Sequence, residues 1–392
     1  MGDGAATVVW DAALLDYDMG GDHPFNPIRL ELTMRLARAL GVLDGVELHS
    51  PEAATDAELQ RVHDVSYVSA VREAPMASWD VGHGLGTADN PVFDKMHAAS
   101  ALVVGGTLLA AKRIAAGHSK RAVSIAGGLH HAMPDRAAGF CVYNDCAVAI
   151  SWLLDNGFDR VAYIDVDVHH GDGVQAAFYD DPRVLTVSVH QHPATLWPGT
   201  GFVSELGARG AQGSAVNVPL PPGTRDAQWQ RAFHAVVPSL LGAFKPQVLV
   251  TQCGVDSHRE DPLADLSLSV DGHRAVYRTL RALAEEHADG RWLATGGGGY
   301  QLLRVVPRSW THLLATVLDR DVDLGAPVPG EWLAAVREVA PNADLPLLMG
   351  EGAETAFAAW DGVLETPVDA AIRDARRALF PLHGLDPDDP RD

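Results

Sequence analysis

The segment RVAYIDVDVHHGDG (160–173) carries the strongest indication of both the fold and the functional site. Its first part, Arg160–Val166, is mostly apolar and predicts a strand covered on both faces. Polar residues occur at every second position, as Asp165, Asp167 and His169. Since successive side chains of a strand point to opposite faces, these three should share one side of the sheet. A lone aspartate at a strand end usually meets solvent, but three aligned polar residues before His-Gly-Asp-Gly predict a functional site, because buried charges require a partner.

Similar apolar runs alternate with longer helical segments over the first 318 residues, which is the pattern of βα units around a parallel sheet. We predict an α/β fold: a single domain with a mostly parallel central β-sheet flanked by helices, and an active site at the C-terminal ends of the strands. The predicted strands are Thr7–Trp10, Arg121–Ala126, Arg160–Val166, Val184–Val189, Gln247–Thr251 and Arg291–Thr295. The predicted helices are Pro27–Leu40, His97–Ala116, Asn144–Asn156, Asp226–Phe244 and Asp271–Ala288.

The sequence changes character after residue 318. From Asp319 onward it contains Pro-rich acidic loops and two or three modest helical patterns, and the tail GLDPDDPRD (384–392) has no regular pattern. We interpret residues 319–392 as a C-terminal helical and loop appendage to the domain formed by residues 1–318.

The composition argues against several partners. The 392 residues include 30 Lys and Arg against 51 Asp and Glu, a formal net charge of −21. Nucleic acids and anionic membranes attract basic surfaces, so neither is expected as a partner. Cys141, Cys146 and Cys253 form no Cys-x-x-Cys pair, which argues against disulfides and fits a reducing cytoplasm. No export signal is evident at the N-terminus, and the longest apolar stretch, Ala101–Ala111, is too short to span a membrane.

A metal site is predicted where Asp167 and His169 leave their strand. A catalytic divalent site commonly takes three protein ligands, so a third should follow a neighbouring strand. Asp256 does so, in QCGVDS (252–257) after the strand Gln247–Thr251. Two carboxylates and one imidazole suit Zn²⁺ or another borderline ion such as Fe²⁺, and the ligand set does not choose between them.

Two adjacent histidines, His130 and His131, follow the strand Arg121–Ala126. Beside a metal they would be acid–base groups, because imidazole titrates near neutral pH and needs only a carboxylate to orient it. Asp165 and Asp172 are available for that purpose.

A glycine run, GGGGY (296–300), ends in Tyr300. It is a weak candidate for phosphate binding, since no lysine follows it as in a P-loop. Glycines instead let the backbone pass close to a buried site, where the Tyr300 phenol could donate a hydrogen bond to a developing oxyanion.

Taken in order, these and other motifs closely resemble the zinc-dependent histone deacetylase superfamily. The motifs are GGLHHA (127–132), GFCVYND (139–145), IDVDVHHGDGVQAAFYDDPRVLTVS (164–188), WPGTG (197–201), QCGVDS (252–257) and GGGGY (296–300). Two further stretches, DHPFNPIRLELT (22–33) and GLGTADNPVFDKM (84–96), are most similar to the bacterial acetoin-utilisation branch. The resemblance covers about residues 7–318 and implies an arginase/deacetylase-like fold and a deacetylase catalytic domain there.

The resemblance also implies catalytic roles. His130 and His131 match the family's histidine dyad, oriented by Asp165 and Asp172 respectively. His131 would be the general base and later the acid, with His130 mainly electrostatic. Tyr300 matches the family tyrosine that hydrogen-bonds the carbonyl oxygen and stabilises the oxyanion.

Cofactors are implied in the same way. The resemblance gives one Zn²⁺ per chain, bound by Asp167, His169 and Asp256. It gives a structural K⁺ bound by Asp165, backbone carbonyls of Asp167 and His169, Ser188, and the carbonyl of Val189. A second alkali site would involve Phe178, Asp181 and Val184.

Substrate contacts complete what the resemblance implies. The acyl-lysine tunnel would be walled by Gly139, Phe140, Trp197 and Leu263. Trp197 stands where the family commonly has phenylalanine and is expected to narrow or reshape the entrance. Asp89 would clamp substrate backbone amides at the rim, and Arg29 would line an internal acetate cavity. His258 departs from the small or aliphatic residues typical of its position and is expected at the rim.

The leading hypothesis is hydrolysis of Nε-acetyl-lysine in proteins, releasing acetate, with an acetyl-CoA synthetase as the substrate that the acetoin-utilisation branch implies. Deacetylation of small acetylated amines such as acetylpolyamines is the alternative, since a cationic ligand suits an acidic mouth. A non-catalytic acetyl-lysine reader is opposed by Tyr300 and both dyad histidines. An arginase-like hydrolase would need ligands for two metal ions, which one Asp-Asp-His set does not supply.

Overall fold

A parallel β-sheet organises the computed structural model, which describes residues 6–77 and 79–392. The eight strands lie in the order β2-β1-β3-β8-β7-β4-β5-β6, and every neighbouring pair is parallel. The strands are β1 (Ala6–Val9), β2 (Leu48–His49), β3 (Arg121–Ser124), β4 (Val161–Asp165), β5 (Val184–Gln191), β6 (Ala215–Leu220), β7 (Val248–Gln252) and β8 (Trp292–Thr295). The predicted α/β fold with a parallel central sheet is therefore confirmed.

Helices cover both faces of this sheet. They are α1 (Ile28–Ala39), α2 (Asp56–Leu59), α3 (Val65–Glu73), α4 (Met96–Ala115), α5 (Asp145–Asp155), α6 (Asp172–Ala177), α7 (Asp226–Phe244), α8 (Val270–His287), α9 (Val306–Val317), α10 (Gly330–Val339) and α11 (Pro367–Leu379). Short 3-10 helices occupy Ala12–Asp16, Ala74–Met76 and Phe380–His383.

Alternate residues of the central strands enter two hydrophobic clusters. Val161 and Tyr163 of β4 belong to the cluster that includes side chains of α4 and α5. Ala162 and Ile164 belong to the larger cluster, which includes side chains of α7, α8 and α9. Because both faces are covered, the strand is continuously apolar until its last residue, Asp165.

The predicted strands and helices are all present, with ends that move by one or two residues. Two strands escaped prediction. β2 has only two residues, too few for a pattern, and β6 contains Asn217 and Pro219. Proline in a sheet is confined mostly to edge strands, and β6 is an edge.

The helix α4 is long and apolar enough, by length and composition, to cross a membrane. It is instead a core helix, because 67% of its most apolar window is buried and it packs against α5, β1 and β3.

The chain after residue 318 packs onto the same sheet and helices. The indole of Trp332 in α10 donates to the carbonyl of Leu32 in α1 at 2.9 Å. Helix α11 contacts α7 and the edge strand β6. The boundary at residue 318 between a catalytic domain and its appendage stays a prediction.

Candidate active site

Four neighbouring strands, β3, β8, β7 and β4, deliver the polar side chains predicted for the site. The two histidines follow β3, the glycine run and Tyr300 follow β8, Asp256 follows β7, and the Asp-x-Asp-x-His series starts at the end of β4. Because the strands are parallel, all of these segments emerge at one edge of the sheet. The sequence-based expectation that they converge is met.

The predicted metal ligands lie together. Nδ1 of His169 is 3.1 Å from Oδ1 of Asp167 and 3.0 Å from Oδ2 of Asp256. All three residues are buried, and their donor atoms lie within 4.8 Å of one another.

Hydrogen bonds from neighbouring residues hold one oxygen of each carboxylate, and the other oxygen is directed at His169. Oδ2 of Asp167 accepts from Nε2 of Gln252 at 2.7 Å and from the amide of Gly298 at 2.8 Å. Oδ1 of Asp256 accepts from the amide of Val168 at 2.9 Å. The remaining oxygens face His169, as in a site with one donor atom from each residue.

This donor set fits a divalent cation. Burial and the neighbouring Asp167 carboxylate raise the pKa of Asp256 to about 6, because two buried carboxylates repel each other when both are ionised. A divalent cation between them would remove that penalty, and two carboxylates with an imidazole suit a borderline metal ion.

The histidine pair is oriented as predicted. Nδ1 of His130 lies 2.7 Å from Oδ2 of Asp165, and Nδ1 of His131 lies 2.7 Å from Oδ1 of Asp172. The two imidazole centroids are 3.9 Å apart. Both carboxylates fix the Nδ1 side of their rings, so each Nε2 is left free to act on a ligand.

The surroundings of the two imidazoles shift their pKa values in opposite directions. Burial lowers the pKa of His130, but the carboxylates of Asp165 and Asp167 outweigh it and raise the pKa to about 9. Burial and the neighbouring charge of His130 lower the pKa of His131 to about 4, against the opposing effect of Asp172. At neutral pH, His131 is therefore a neutral base beside a cationic His130.

The amino end of α5 holds the loop that carries both histidines. Asn144 caps α5 through the amide of Ala147 and donates from Nδ2 to the carbonyls of His130 and Ala132 at 3.3 and 3.1 Å. The buried carboxylate of Asp145 accepts from the amides that precede His130, those of Gly128 and Leu129. This explains why the motif GFCVYND belongs with the histidines.

Tyr300 lies across the cavity from the histidine pair. Its ring packs edge to face on Phe140, with centroids 5.7 Å apart. Burial and the nearby carboxylates of Asp256 and Asp167 raise the pKa of the phenol well above its ordinary value. The hydroxyl therefore stays protonated and remains a hydrogen-bond donor.

A cavity of about 300 Å³ joins these groups to the surface. Its lining contains most of the residues predicted to contact substrate, together with one that was not predicted, Leu196. The lining residues are Asp89, His131, Gly139, Phe140, His169, Leu196, Trp197, Leu263 and Tyr300.

Gly139 and Trp197 pack directly against each other in the wall of the cavity. The indole of Trp197 is half exposed and packs edge to face on His131, with centroids 4.6 Å apart. A Cβ atom on Gly139 would lie 2.5 Å from the Trp197 ring and 2.6 Å from Cδ2 of His131. Gly139 also has a φ of +51°, a conformation that favours glycine.

Arg29 lies beside the glycine run rather than in the lining of this cavity. Its Nη1 donates to the carbonyls of Gly297 and Gly299 at 2.9 and 3.1 Å, and its guanidinium covers the ring of Phe25 at 4.0 Å. The predicted acetate cavity at Arg29 stays a prediction.

The residues predicted to bind K⁺ fall into two groups. Asp165 and Ser188 are partners in the register of β4 and β5, and Oγ of Ser188 lies 2.8 Å from Nδ1 of His190. Phe178, Asp181 and Val184 are linked by successive backbone hydrogen bonds, while the carboxylate of Asp181 pairs with Arg183. The carbonyl of Val189, another predicted ligand, belongs to β5, and the predicted carbonyls of Asp167 and His169 follow the end of β4. Potassium binding stays a prediction.

The placement of His258 at the rim is wrong. Its side chain is fully buried, and its Nε2 lies 3.2 Å from both carboxylate oxygens of Glu351. The loop after Asp256 turns inward at this residue, because the backbone of His258 pairs with that of Leu268.

Several supporting residues escaped the sequence analysis. The hydroxyl of Tyr163 donates to Oδ2 of Asp165 at 2.7 Å, and Tyr17 donates to the carbonyl of Phe140 at 2.8 Å. Asp261 accepts from the amide of Tyr300 at 2.8 Å. Gln252, the donor to Asp167, also escaped the sequence analysis, although it could have been noticed as a polar residue that ends an apolar strand.

Comparison with known proteins agrees with this geometry. The family model described as the histone deacetylase domain matches residues 23–317. The chain belongs to the histone deacetylase family and is therefore a hydrolase of the deacetylase class.

Among its relatives are acetoin utilization proteins named AcuC. The protein of Bacillus subtilis (strain 168) is 38% identical over 339 residues, which cover 86% of this chain and 87% of the relative. That of Staphylococcus aureus (strain MSSA476) is 38% identical over 329 residues, covering 83% and 84%.

Solved structures show the same fold. A histone deacetylase homologue complexed with SAHA superposes with a TM-score of 0.81 at 29% identity, covering 94% of this chain and 99% of the other. A histone deacetylase homologue from Aquifex aeolicus gives a TM-score of 0.80 at the same identity and coverage.

Proposed function

We propose that this chain hydrolyses the acetyl amide of Nε-acetyl-lysine in protein substrates and releases acetate. The observation that carries the proposal is the cavity, which runs from Asp89 and Trp197 at the surface to His131, His169 and Tyr300. Phe140 and Leu263 offer apolar walls to a methylene chain, and the polar groups gather at its far end. An extended, neutral acyl-lysine side chain matches that distribution.

Each group at the inner end has a task in the hydrolysis. His131, neutral and held by Asp172, accepts the proton of the attacking water and returns it to the departing lysine nitrogen. His130, cationic beside Asp165, stabilises the negative charge that develops. The phenol of Tyr300 donates a hydrogen bond to the carbonyl oxygen as it becomes an oxyanion.

Two kinds of cation complete the proposed site. Asp167, His169 and Asp256 would hold Zn²⁺, which polarises the acetyl carbonyl and the water when bound. The residues around Asp165 and Ser188, and those around Asp181, would hold structural K⁺.

The mouth of the cavity supports the proposal of protein substrates. Asp89 is exposed there, and a carboxylate at this position can accept backbone amides of a peptide that flanks the acetyl-lysine. The resemblance to acetoin utilization proteins makes an acetylated acetyl-CoA synthetase the first protein to test. Cys141, Cys146 and Cys253 are free thiols, which supports a reducing cytoplasm as the site of action.

A competition assay tests this proposal. Purified enzyme, loaded with Zn²⁺, is given equimolar acetyl-lysine peptide, butyryl-lysine peptide and N-acetylspermidine, and the deacylated amine formed from each substrate is followed by mass spectrometry. We expect the highest kcat/KM on the acetyl-lysine peptide. Preference for the acetylpolyamine would overturn the assignment of protein substrates in favour of small acetylated amines.

A substitution tests the role of Tyr300 separately. We expect Tyr300→Phe to retain the zinc content of the wild type while turnover falls by roughly 10²-fold or more, as for the loss of an oxyanion donor. Unchanged turnover would show that the phenol has no such role.

A further inference from the structure

A segment near the C-terminus, Asp344–Glu351, contacts the loop that carries Asp256. This segment lies outside residues 23–317, the part that matches the histone deacetylase domain. Charged groups make its contacts with this loop, and of the two carboxylates involved Glu351 is buried while Asp344 is exposed.

Glu351 is the centre of these contacts. Its carboxylate accepts from His258 at 3.2 Å, pairs with Arg259 at 2.6 Å and pairs with Arg308 at 2.8 Å. The side chain of Glu351 is 8% exposed, and that of Arg308 only 2%. Burial opposes ionisation of Glu351, but the hydrogen bond from His258 and the charges of both arginines hold its pKa well below its usual range.

The tautomer of His258 follows from its other contact. Its Nδ1 accepts from the amide of Glu260 at 3.0 Å, so the ring proton lies on Nε2 and points at Glu351. The backbone of His258 is equally engaged, because its carbonyl accepts from the amide of Asp261 at 2.9 Å. Glu351 thereby fixes the loop two residues after Asp256.

A second contact reinforces the first. Arg304 follows Tyr300 in the chain and pairs with Glu260 of the loop at 2.8 Å. The same guanidinium pairs with Asp344 at 2.6 Å. Both ends of the Asp344–Glu351 segment are therefore attached to the Asp256 loop and to the chain that follows Tyr300.

The loop in turn holds Tyr300. Oδ2 of Asp261 accepts from the amide of Tyr300 at 2.8 Å, while Oδ1 accepts from the amide of Leu263 at 3.0 Å. One carboxylate thus sets the backbone of Tyr300 relative to Leu263 in the cavity wall. The backbone around Tyr300 needs such support, because the glycines before it can adopt many conformations.

We infer that Glu351 is a positioning residue for Tyr300, acting through His258 and Asp261 of the loop that follows Asp256. This inference rests on the proposed role of Tyr300 as oxyanion donor. It makes part of the C-terminal region a component of the active site rather than an attachment to it.

The test is a double-mutant cycle between Glu351→Gln and Tyr300→Phe, with zinc content and Tm measured for each variant. We expect Glu351→Gln alone to lower kcat about tenfold on an acetyl-lysine peptide at full zinc content, since small misplacements of catalytic groups are costly. In the Tyr300→Phe background, the same change should lower the residual kcat by less than about twofold, because its effect passes through the phenol. Glu354→Gln, an exposed change three residues away, is the matched control and should leave kcat unaltered.

The outcomes separate this inference from the proposed function. If Tyr300→Phe abolishes most turnover and the two losses simply add, Glu351 does not act through Tyr300, and the inference alone is overturned. The same holds if the loss follows zinc content or appears only near the Tm. If Tyr300→Phe retains full turnover, the oxyanion role fails and the inference fails with it. If Glu351→Gln does not fold, Arg259→Gln replaces it in the same cycle, because it removes a half-exposed partner of Glu351. We expect this variant to lower kcat about threefold, and we expect no such loss in the Tyr300→Phe background.

Discussion

Residues of the site could be predicted from the sequence where a polar side chain interrupts or follows an apolar run. Asp167 and His169 are polar residues on an apolar run, and Asp256 follows a second apolar run. Such positions are costly unless they serve a cation, so the sequence alone indicates them. His258 and Glu351 were beyond reach, because their pairing joins positions 93 residues apart that no local pattern connects.

The environment of the histidine pair predicts a pH effect. The charge of His130 contributes to lowering the pKa of His131, so removing that charge in His130→Gln should raise the pKa of His131 towards its ordinary value. His131 acts as a base only when neutral, and it becomes protonated as the pH falls through its pKa. The acidic limb of the kcat/KM profile should therefore move to higher pH in the variant. Zinc content, measured at each pH, serves as the control, and an unmoved limb at constant zinc would contradict the assignment of His131.

Trp197 predicts a substrate preference. Its ring packs against Gly139 in the cavity wall, and phenylalanine at this position would be smaller. We expect Trp197→Phe to raise kcat/KM for an acetyl-lysine peptide with bulky flanking residues, relative to one with flanking glycines, by about threefold or more, since Trp197 lies at the mouth where the flanking residues bind. Phe202→Leu is the control, because Phe202 is similarly exposed but is not in the cavity lining. An equal change of the ratio in both variants would show that Trp197 does not restrict the residues that flank the acetyl-lysine.

Among the strands and helices, those buried on both faces of the sheet were the easiest to predict from the sequence. β4 and β7 are buried on both faces and appear in the sequence as apolar runs, while the structure shows that the side chain of Asn144 caps the start of α5. The edge strand β6 was missed, since its role depends on pairing with β5 rather than on its own composition. Strand ends shifted for a similar reason: β4 stops at Asp165 because the next residues turn towards the metal site.

A glycine in α4 and a glycine in α7 are expected to respond oppositely to substitution by alanine. A Cβ atom on Gly105 would overlap the carbonyl oxygen of Glu52, so the helix can approach that backbone only with glycine there. Gly242 in α7 has open space, with His287 at 3.8 Å as its near neighbour. We expect Gly105→Ala to lower the free energy of unfolding by about 2 kcal/mol or more, as overpacking does, and Gly242→Ala to raise it by up to about 1 kcal/mol. Denaturant titration of both variants checks this, and similar values for the two would refute the close approach.

For the molecule as a whole, the structure changes the interpretation of the net charge and of the C-terminal tail. Asp165, Asp167, Asp172 and Asp256 lie inside the site, so they say nothing about partners at the surface. The tail GLDPDDPRD, which shows no pattern in the sequence, accepts several hydrogen bonds from one buried side chain. Arg376 of α11 donates to the backbone carbonyls of Ala235, Asp386, Pro387, Asp389 and Asp392.

This arrangement predicts that Arg376 stabilises the fold without serving catalysis. The guanidinium is 1% exposed and stacks on Phe380 at 4.1 Å, so Arg376→Met would leave five carbonyls without their donor. We expect a loss of about 3 kcal/mol, hence a Tm lower by about 3–4 °C for a chain of this length, with kcat unchanged well below the Tm. Arg377→Met removes an exposed ion pair with Asp388 on the same helix and should cost less than about 1 kcal/mol. Equal losses in calorimetry would mean that the tail is held by surface charge rather than by the buried guanidinium.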